Sequence, residues 1–345
     1  MNSLEPSATG GRDLTGLSVL ILGGTGTIST EVVRRAVAVG HRVTVLNRGQ
    51  SGAVGRPSLP PEVRLLTADV RDTTAVRAAI GDQDFDVVVD FLGFVPDHVR
   101  GDIELFSGRT GQYVFISSAS AYQTPPARLP VTESTPLRNP FWRYSRDKIA
   151  CEDLLVATYR ETGFPMTIVR PSHTYDATSV PIDGGWTVVD RMRRGLPVVV
   201  PGDGTSLWTL THSRDFAVAF VGLFGDPRTL GQAFHITADD ALTWNRIFTD
   251  IARAAGVEPE LVHVPSDVIA RHDPDLGAGL LGDKAHSMVF DNSLVRTIVP
   301  GWHASTPFTQ GAREIVAWHD ADPRRRGIDE RLNALFDRLV ASYRD

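Results

Sequence analysis

The segment 142–155, WRYSRDKIACEDLL, places Lys148 four residues after Tyr144. Lysine is rare in this chain, because only Lys148 and Lys284 among its 35 Lys and Arg residues are lysines. Residues four apart on a helix lie on the same face, so the ammonium can approach the phenol. A phenol has a pKa of about 10, and a neighbouring positive charge favours the phenolate. The pair predicts general acid–base chemistry, with a helical pair that has no catalytic role as the alternative.

The elements that would carry this pair follow a regular pattern from residue 17 to about residue 170. Short apolar runs alternate with helical segments, and these runs are LSVLIL, HRVTVL, VRLLT, FDVVVDFL, QYVFIS and MTIVR. Continuously apolar strands separated by helices are typical of a parallel sheet that is buried on both faces. We therefore predict an α/β fold with a Rossmann-type, doubly wound parallel sheet over residues 14–175.

The remainder of the chain is less regular and is punctuated by Pro and Gly. Residues 176–345 are predicted to form mainly a smaller C-terminal substrate-binding lobe, with some segments returning to the sheet and a final helix near 328–342. Residues 1–13, MNSLEPSATGGRD, have neither the basic start nor the apolar run of a signal peptide and are predicted to be a flexible tail.

A glycine-rich turn, VLILGGTGTIST, leads from the first strand into a helix. Glycine is needed where the backbone bends sharply and where it approaches a pyrophosphate, which then rests on the amides of the following helix. Counted from Gly23, the next fingerprint positions are Gly26 and Ser29, where a small serine replaces the last glycine. The turn predicts a dinucleotide site that includes Gly23, Gly26, Thr27 and Ile28.

The second strand ends in Asn47 and Arg48. Enzymes that bind NAD usually place an acidic residue here for the ribose 2′-hydroxyl, whereas a guanidinium suits a 2′-phosphate. NADP(H) is therefore favoured, with Asn47 assisting. NAD(H) and a surface role for Arg48 remain the alternatives.

Two further strand ends are expected to border the same cofactor. Asp69 and Val70 follow the third strand, where the adenine ring would lie. Leu92 and Gly93 close the fourth strand beside the expected nicotinamide ribose.

Five motifs occur in order along the chain: GGTGTIS, ADVRD, YVFISSASAY, YSRDK and IVRPSHTYD. Together they make the chain resemble the extended short-chain dehydrogenase/reductase superfamily, particularly its epimerase/dehydratase-like members, from residue 17 onward. The resemblance implies that Tyr144 is the acid–base group and that Lys148 also binds the nicotinamide ribose. It also implies cofactor contacts at Ser117 and Pro171.

Ser118 lies four residues before Tyr122, where the family keeps its catalytic serine or threonine. Its hydroxyl would hydrogen-bond the substrate oxygen while hydride moves to or from nicotinamide. Ser117 and Ser120 are neighbours that could be mistaken for it. Family members that eliminate water carry an Asp-Glu pair directly after this position, and here Ala119 and Ser120 stand instead, which disfavours dehydration.

The substrate side departs from the nucleotide-sugar enzymes of the family. Trp208 and Leu281 occupy the two places where those enzymes usually carry diphosphate-binding arginines, so a nucleotide-linked substrate is disfavoured. Ser118, Ser120, His173 and Trp208 are predicted to bind substrate, with Trp208 as a stacking face. The alternative for Trp208 is a tryptophan packed in the core, and the alternative for His173 is a buried, hydrogen-bonded histidine.

Composition limits the partners. The formal net charge is −6, the single cysteine excludes an internal disulfide, and no apolar run is long enough to span a membrane. We expect a soluble, cytoplasmic protein that acts on a small molecule, without nucleic-acid, membrane or metal partners. The resemblance suggests a homodimer.

Three functions follow from these features. The leading prediction is an NAD(P)-dependent epimerase that acts on a secondary alcohol of a sugar or sugar-like substrate through a transient ketone. The second is an NADPH-dependent ketoreductase of a sugar or natural-product ketone. The third is a cofactor-binding regulator without chemistry.

Overall fold

The computed structural model describes residues 14–49 and 58–343, so the predicted tail at 1–13 lies outside the described residues. The strands are β1 Ser18–Leu22, β2 Arg42–Asn47, β3 Arg64–Thr67, β4 Phe85–Asp90, β5 Thr110–Ile116, β6 Met166–Pro171, β7 His173–Tyr175, β8 Val198–Pro201, β9 Leu207–Trp208, β10 Leu210–His212, β11 Gln232–Ile236, β12 Leu242–Thr243 and β13 Leu261–Val264.

The α-helices are α1 Ser29–Ala38, α2 Thr73–Ile80, α3 Pro96–Phe106, α4 Arg143–Thr162, α5 Trp186–Arg193, α6 Ser213–Val221, α7 Trp244–Ala254, α8 Ser266–His272, α9 Pro274–Gly279, α10 Ser293–Ile298, α11 Phe308–Asp320 and α12 Glu330–Ala341. Short 3-10 turns lie at Ala119–Ala121, Pro227–Thr229 and Pro323–Arg325. A π-helix spans Leu280–Lys284. None of the helices in the described ranges combines the length and apolarity that crossing a bilayer requires.

Seven strands form one parallel sheet in the order β11-β6-β5-β4-β1-β2-β3. The six strands predicted from the sequence are all present, and the predicted Rossmann-type fold class is confirmed. The strand order reverses beside β1, between β1 and β4. In open α/β sheets, ligands bind outside the carboxyl ends of the strands at such a switch point.

The sheet separates two hydrophobic cores, as continuously apolar strands require. In β1, Val19 and Ile21 face one core, whereas Leu20 and Leu22 face the other. Adjacent side chains of a strand point to opposite faces, so a strand without polar positions is buried on both sides. The site-bearing strand ends are thereby held on a rigid support.

The C-terminal part packs around a third core that contains three tryptophans, Trp186, Trp208 and Trp244. Three pairs of short strands, β7 with β10, β8 with β13 and β9 with β12, connect its helices. The final helix predicted near 328–342 corresponds to α12. One segment of this part returns to the main sheet, because β11 pairs in parallel with β6.

Candidate active site

A cleft of about 760 Å³ opens at the carboxyl ends of the parallel strands. Small-molecule and cofactor sites typically measure roughly 300–1,000 Å³. The lining residues are Gly23, Thr25, Gly26, Thr27, Ile28, Ser29, Asn47, Arg48, Asp69, Val70, Arg71, Phe91, Leu92, Phe94, Ile116, Ser117, Ser118, Tyr144, Lys148, Pro171, Ser172 and Thr174. Every residue predicted to contact the cofactor lines this cleft, apart from Gly93.

The glycine turn forms one wall of the cleft. Gly23 has a φ of +88°, which favours glycine, and a side chain there would also come within 2.7 Å of Leu92 Cγ. The Gly26 amide donates a 2.7 Å hydrogen bond to Ser29 Oγ. Ser29 therefore does more than fill the small position expected of it, since its hydroxyl closes the turn at the start of α1.

The far end of the cleft holds the residues predicted to bind the adenosine half. Asn47 Oδ1 accepts a 2.8 Å hydrogen bond from the Gly49 amide and so shapes the turn that carries Arg48. Arg48 is exposed and lines the cleft. Asp69 Oδ1 accepts from the Arg71 amide at 3.0 Å.

Arg71 is a cleft residue that the sequence analysis did not single out. Its guanidinium donates to the Leu92 carbonyl oxygen across the cleft floor. Its position two residues after Asp69 gave a clue, but the sequence alone did not indicate which way the side chain points.

Helix α4 positions the Tyr144 and Lys148 pair. Asn139 Oδ1 accepts hydrogen bonds from the amides of Phe141 and Trp142, at 3.2 and 3.0 Å, and fixes the chain just before the helix. The buried stripe of α4 is Ser145, Lys148, Cys151, Glu152 and Leu155, at helical spacing. Three polar members of a buried stripe each require partners.

Lys148 is 1% exposed and lies at the floor of the cleft. Its ammonium donates to the carbonyl oxygens of Gly93 at 2.6 Å and Ile116 at 2.7 Å. The rings of Phe94 and Phe115 lie 5.0 and 4.8 Å from Nζ. Gly93 thus supports the lysine through its backbone rather than lining the cleft. An ammonium has three hydrogens, so one remains for a ligand.

Burial lowers the pKa of Lys148 to about 8, and the charge of Asp90 opposes that shift. Burial raises the pKa of Tyr144 to about 12, a hydrogen bond with Ser118 lowers it in part, and Asp283 raises it further. The expectation that a neighbouring positive charge favours the phenolate stays a prediction, because burial is the largest influence on the pKa of Tyr144 in the protein alone. Burial therefore favours the protonated phenol of Tyr144 over the phenolate at neutral pH.

Three serine hydroxyls form a hydrogen-bonded chain that reaches the cleft at Ser118. Ser145 Oγ donates to Ser120 Oγ at 2.7 Å, and Ser120 Oγ lies 2.8 Å from Ser118 Oγ. Ser118 lines the cleft together with Tyr144 and lowers the pKa of the Tyr144 phenol in part. Ser120 is 3% exposed and lies behind Ser118, so it orients that hydroxyl instead of lining the cleft as predicted. The Ser117 hydroxyl turns away and donates to Glu152.

Glu152 also pairs with Arg170 beneath the site. Arg170 on β6 donates to the Glu152 carboxylate twice, from Nε to Oε1 at 3.0 Å and from Nη2 to Oε2 at 2.5 Å. The side chains of Arg170 and Glu152 are 6% and 2% exposed. This buried pair joins α4 to β6 directly under the serine chain.

Neither His173 nor Trp208 lines the cleft. Trp208 is 1% exposed and stacks on Trp244 in the C-terminal core, with ring centroids 6.1 Å apart. This corrects the expected stacking face in favour of the core alternative. The ring of His173 lies 6.4 Å from that of Trp244, and burial lowers its pKa to about 3, with a further contribution from Lys284.

The π-helix Leu280–Lys284 packs against the segment that precedes Tyr144. Asn139 Nδ2 donates to the Gly282 carbonyl oxygen at 2.6 Å, and a side chain on Gly282 would meet Trp142 Cβ at 2.8 Å. Lys284 Nζ lies 3.9 Å from Asp183 Oδ1. Both lysines of the chain therefore lie near the Tyr144 end of α4. Only the scarcity of lysine gave a sequence clue to this second position.

The glycine turn at one end, the ammonium at the other and the strand ends between them fit a dinucleotide. A family model provides the independent comparison, because the NAD dependent epimerase/dehydratase family matches residues 19–236. The chain belongs to this family. It is an NAD(P)-dependent enzyme of the short-chain dehydrogenase/reductase type.

Curated members and relatives of the family match the chain at low identity. The 2′-dehydrokanamycin reductase of Streptomyces kanamyceticus is 27% identical over 83% of this chain and 80% of that enzyme. A chloroplast stem-loop binding protein of Arabidopsis thaliana is 29% identical over 71% of this chain and 65% of that protein. The UDP-glucose 4-epimerase of Lactobacillus helveticus is 28% identical, but this match spans only 47% of the chain and 53% of the epimerase.

Solved structures of the family share the fold. An epimerase of Methanothermobacter thermautotrophicus aligns with a TM-score of 0.74 at 13% identity, over 90% of this chain and 94% of the other. The UDP-glucose 4-epimerase of Bifidobacterium longum, solved with NAD+ and UDP, aligns with a TM-score of 0.70 at 19% identity, over 89% and 99%.

Proposed function

We propose that the chain is an NADPH-dependent reductase of a ketone on a sugar or sugar-like small molecule. The observation that carries this proposal is the cleft that brings Ser118, Tyr144 and Lys148 together, where burial favours the protonated phenol of Tyr144. Ketone reduction needs a proton donor at the substrate oxygen, whereas alcohol oxidation needs a base there.

Each residue of the site has a role in this reaction. When bound, a reduced nicotinamide supplies the hydride that adds to the carbonyl carbon. The Ser118 hydroxyl donates to the carbonyl oxygen and polarises it. Tyr144 transfers its proton to the same oxygen as negative charge develops there. Lys148, held by two carbonyl oxygens, uses its remaining N–H for the ribose and its charge to stabilise the phenolate that forms.

The cofactor choice rests on Arg48 at the end of β2. A guanidinium in this part of the cleft suits a 2′-phosphate, and no carboxylate stands at this position for a 2′-hydroxyl. An enzyme that uses NADPH consumes it as a reductant, which agrees with net reduction.

The substrate side supports a ligand without a diphosphate. Trp208 is in the core and Leu281 lies in the π-helix, so neither place offers a guanidinium. A relative that matches over 83% of this chain and 80% of its own length is named a reductase, whereas the UDP-glucose 4-epimerase match covers about half of each chain. These observations favour a sugar-like ketone over a nucleotide-linked sugar.

An epimerase is the second candidate, because the family model bears that name and matches residues 19–236. The two are separated by incubating the purified protein with NADPH and a panel of keto-sugars, with and without a nucleotide. A reductase consumes one NADPH per product, which absorbance measures. Substrate interconversion with no net loss of NADPH would contradict the proposal and support the epimerase.

The cofactor choice has its own test. Arg48→Ala should weaken NADPH binding roughly tenfold to a hundredfold, the value of one charge-assisted contact, and leave NADH binding unchanged. Arg64→Ala, an exposed arginine on β3 outside the cleft, is the matched control. Equal effects of Arg48→Ala on both cofactors in a fluorescence titration would count against NADP(H).

A further inference from the structure

Two buried carboxyl groups lie behind the cleft floor and have no role in the reaction described above. Asp90 at the end of β4 is 1% exposed, and Asp102 on α3 is 6% exposed. The Tyr113 hydroxyl on β5 lies between them, 3.1 Å from Asp90 Oδ2 and 2.7 Å from Asp102 Oδ2. Burying two ionised carboxylates side by side would cost free energy, so the protonation of this cluster requires an explanation.

The hydrogen count at this cluster points to a shared proton. Carboxylates only accept hydrogen bonds, and the phenol of Tyr113 has one hydrogen to donate. One of the two contacts would otherwise place a carboxylate oxygen against the lone pairs of the phenol oxygen. A second proton on one carboxyl group removes this repulsion. Burial and the charge of Asp90 raise the pKa of Asp102 well above its usual value, and the hydrogen bond from Tyr113 opposes this shift in part.

The cluster is connected to the catalytic lysine through three residues of backbone. Asp90 Oδ1 accepts a 2.6 Å hydrogen bond from the Leu92 amide. Gly93 lies directly on Asp90, since a side chain there would come within 2.2 Å of Asp90 Oδ2. The Gly93 carbonyl oxygen in turn accepts from Lys148 Nζ. Asp90 thus fixes the loop that holds the ammonium.

We propose that Asp90 and Asp102 share one proton, carried by Asp102, and that the negative charge left on Asp90 keeps Lys148 in its ammonium form. Asp90 is then a positioning residue for the proposed reduction, on which its catalytic consequence rests. It does not touch the substrate or the cofactor. Its two effects are the placement of the Gly93 carbonyl and the charge that offsets the burial of Lys148.

Among the charged groups near Lys148, Asp90 contributes most to keeping it in the ammonium form. Glu152 also raises the pKa of Lys148, but less than Asp90 does, and its carboxylate is paired with Arg170. Burial raises the pKa of Cys151 to about 12, which keeps the thiol uncharged. Arg71 acts in the opposite direction and lowers the pKa of Lys148. His98 on α3, whose pKa is lowered mainly by burial, adds no positive charge at neutral pH.

The test uses the presence of only two lysines in the chain. Protein labelled with 13C at lysine Cε gives two side-chain signals, which Lys284→Arg assigns. We expect Asp90→Asn to lower the titration midpoint of Lys148 by about one pH unit or more, the usual effect of removing a close opposite charge. Asp102→Asn is the matched control, because Asp102 is also buried and an amide imitates the protonated acid. This substitution should leave the Lys148 midpoint unchanged.

Two results would overturn the proposal: an unchanged Lys148 midpoint in Asp90→Asn, or an equal shift in Asp102→Asn. Infrared spectroscopy of the wild type covers the case in which Asp90→Asn does not fold. It should show a protonated carboxyl band at neutral pH that Asp102→Asn lacks, and identical spectra would refute the shared proton. Both readouts are independent of turnover, so failure to reduce any ketone would reject the proposed function alone.

Discussion

Tyr144 is the residue on which the proposed chemistry depends, and its hydroxyl is its only reactive group. Replacing Tyr144 by Phe removes the proton donor while keeping the ring that packs 4.8 Å from the ring of Trp142. We expect kcat to fall roughly a hundredfold to ten-thousandfold, the usual contribution of a general acid, with cofactor affinity retained.

The control for this substitution lies on the same helix. Tyr159 is 38% exposed and lies outside the cleft, so Tyr159→Phe should leave kcat unchanged. Steady-state kinetics and cofactor titration measure both variants. Full activity in Tyr144→Phe would contradict the acid–base role of Tyr144.

The residues predicted for the cofactor nearly all line one cleft, whereas most of those predicted for the substrate do not line it. Continuous motifs contain the glycine turn, the strand ends and the Tyr144–Lys148 pair. Within such a motif, the spacing of the residues determines which of them face the same side. Trp208 and His173 depend on packing between distant segments, which spacing does not encode. A large aromatic residue suits a stacking face and a core equally well, and the contact with Trp244 decides for the core.

At the scale of elements, Gly24 and Gly26 of the glycine turn are expected to serve different purposes, one in packing and one in cofactor binding. A side chain on Gly24 would come within 2.7 Å of Val45 on β2, whereas one on Gly26 meets only Ser29 Oγ at 3.3 Å. Gly24→Ala should lower the free energy of unfolding by about 1–3 kcal/mol because it overpacks the contact with β2. Gly26→Ala should fold normally and weaken cofactor binding. Thermal unfolding and cofactor titration separate the two effects, and equal melting temperatures would contradict this account.

The Glu152–Arg170 pair makes α4 and β6 one unit. Glu152→Gln leaves the Arg170 guanidinium buried without its counter-charge, which should cost about 3–5 kcal/mol of unfolding free energy. The neighbouring Asp153 is exposed, so Asp153→Asn is the matched control and should change stability little. Chemical denaturation measures both. Similar midpoints for the two variants would show that the pair does not stabilise this junction.

The elements that sequence reasoning left unassigned are those formed by long-range contacts. The sequence predicted that some later segments return to the sheet but not which ones, because β11 begins far beyond the end of β6 and its pairing is set by tertiary packing. The π-helix has no periodic pattern of its own. Its geometry depends on Asn139 and Trp142, which are far away in sequence and adjacent in space.

For the whole molecule, buried neutral histidines should set the response to acid. His235 is 0% exposed, and its ring nitrogens bond to the Tyr122 hydroxyl at 3.1 Å and the Asp291 carbonyl oxygen at 2.7 Å. Burial lowers the pKa of His235 to about 4 and that of His173 to about 3. Stability is therefore highest above the unfolded pKa of about 6.5 and is lost as the pH falls from there to the folded pKa, because only the unfolded chain binds the proton in that range.

The expected slope is about 1.4 kcal/mol per pH unit for each such histidine below about pH 6.5. His235→Gln should be less stable at neutral pH but should show a shallower loss on acidification, because one titrating group is gone. His303→Gln, at an exposed position, should retain the wild-type slope. Denaturant unfolding at a series of pH values gives these slopes. An unchanged slope in His235→Gln would assign the acid sensitivity to other groups.

The parallel pairing of β11 with β6 also limits how the chain can be divided. A fragment that stops after β6 would leave the backbone donors and acceptors of that strand along an uncovered margin of the sheet. Such a margin is a template for adding a strand from another molecule. Recombining this cofactor-binding half with the C-terminal half of a relative should therefore succeed only when the transplanted piece brings its own counterpart of Gln232–Ile236.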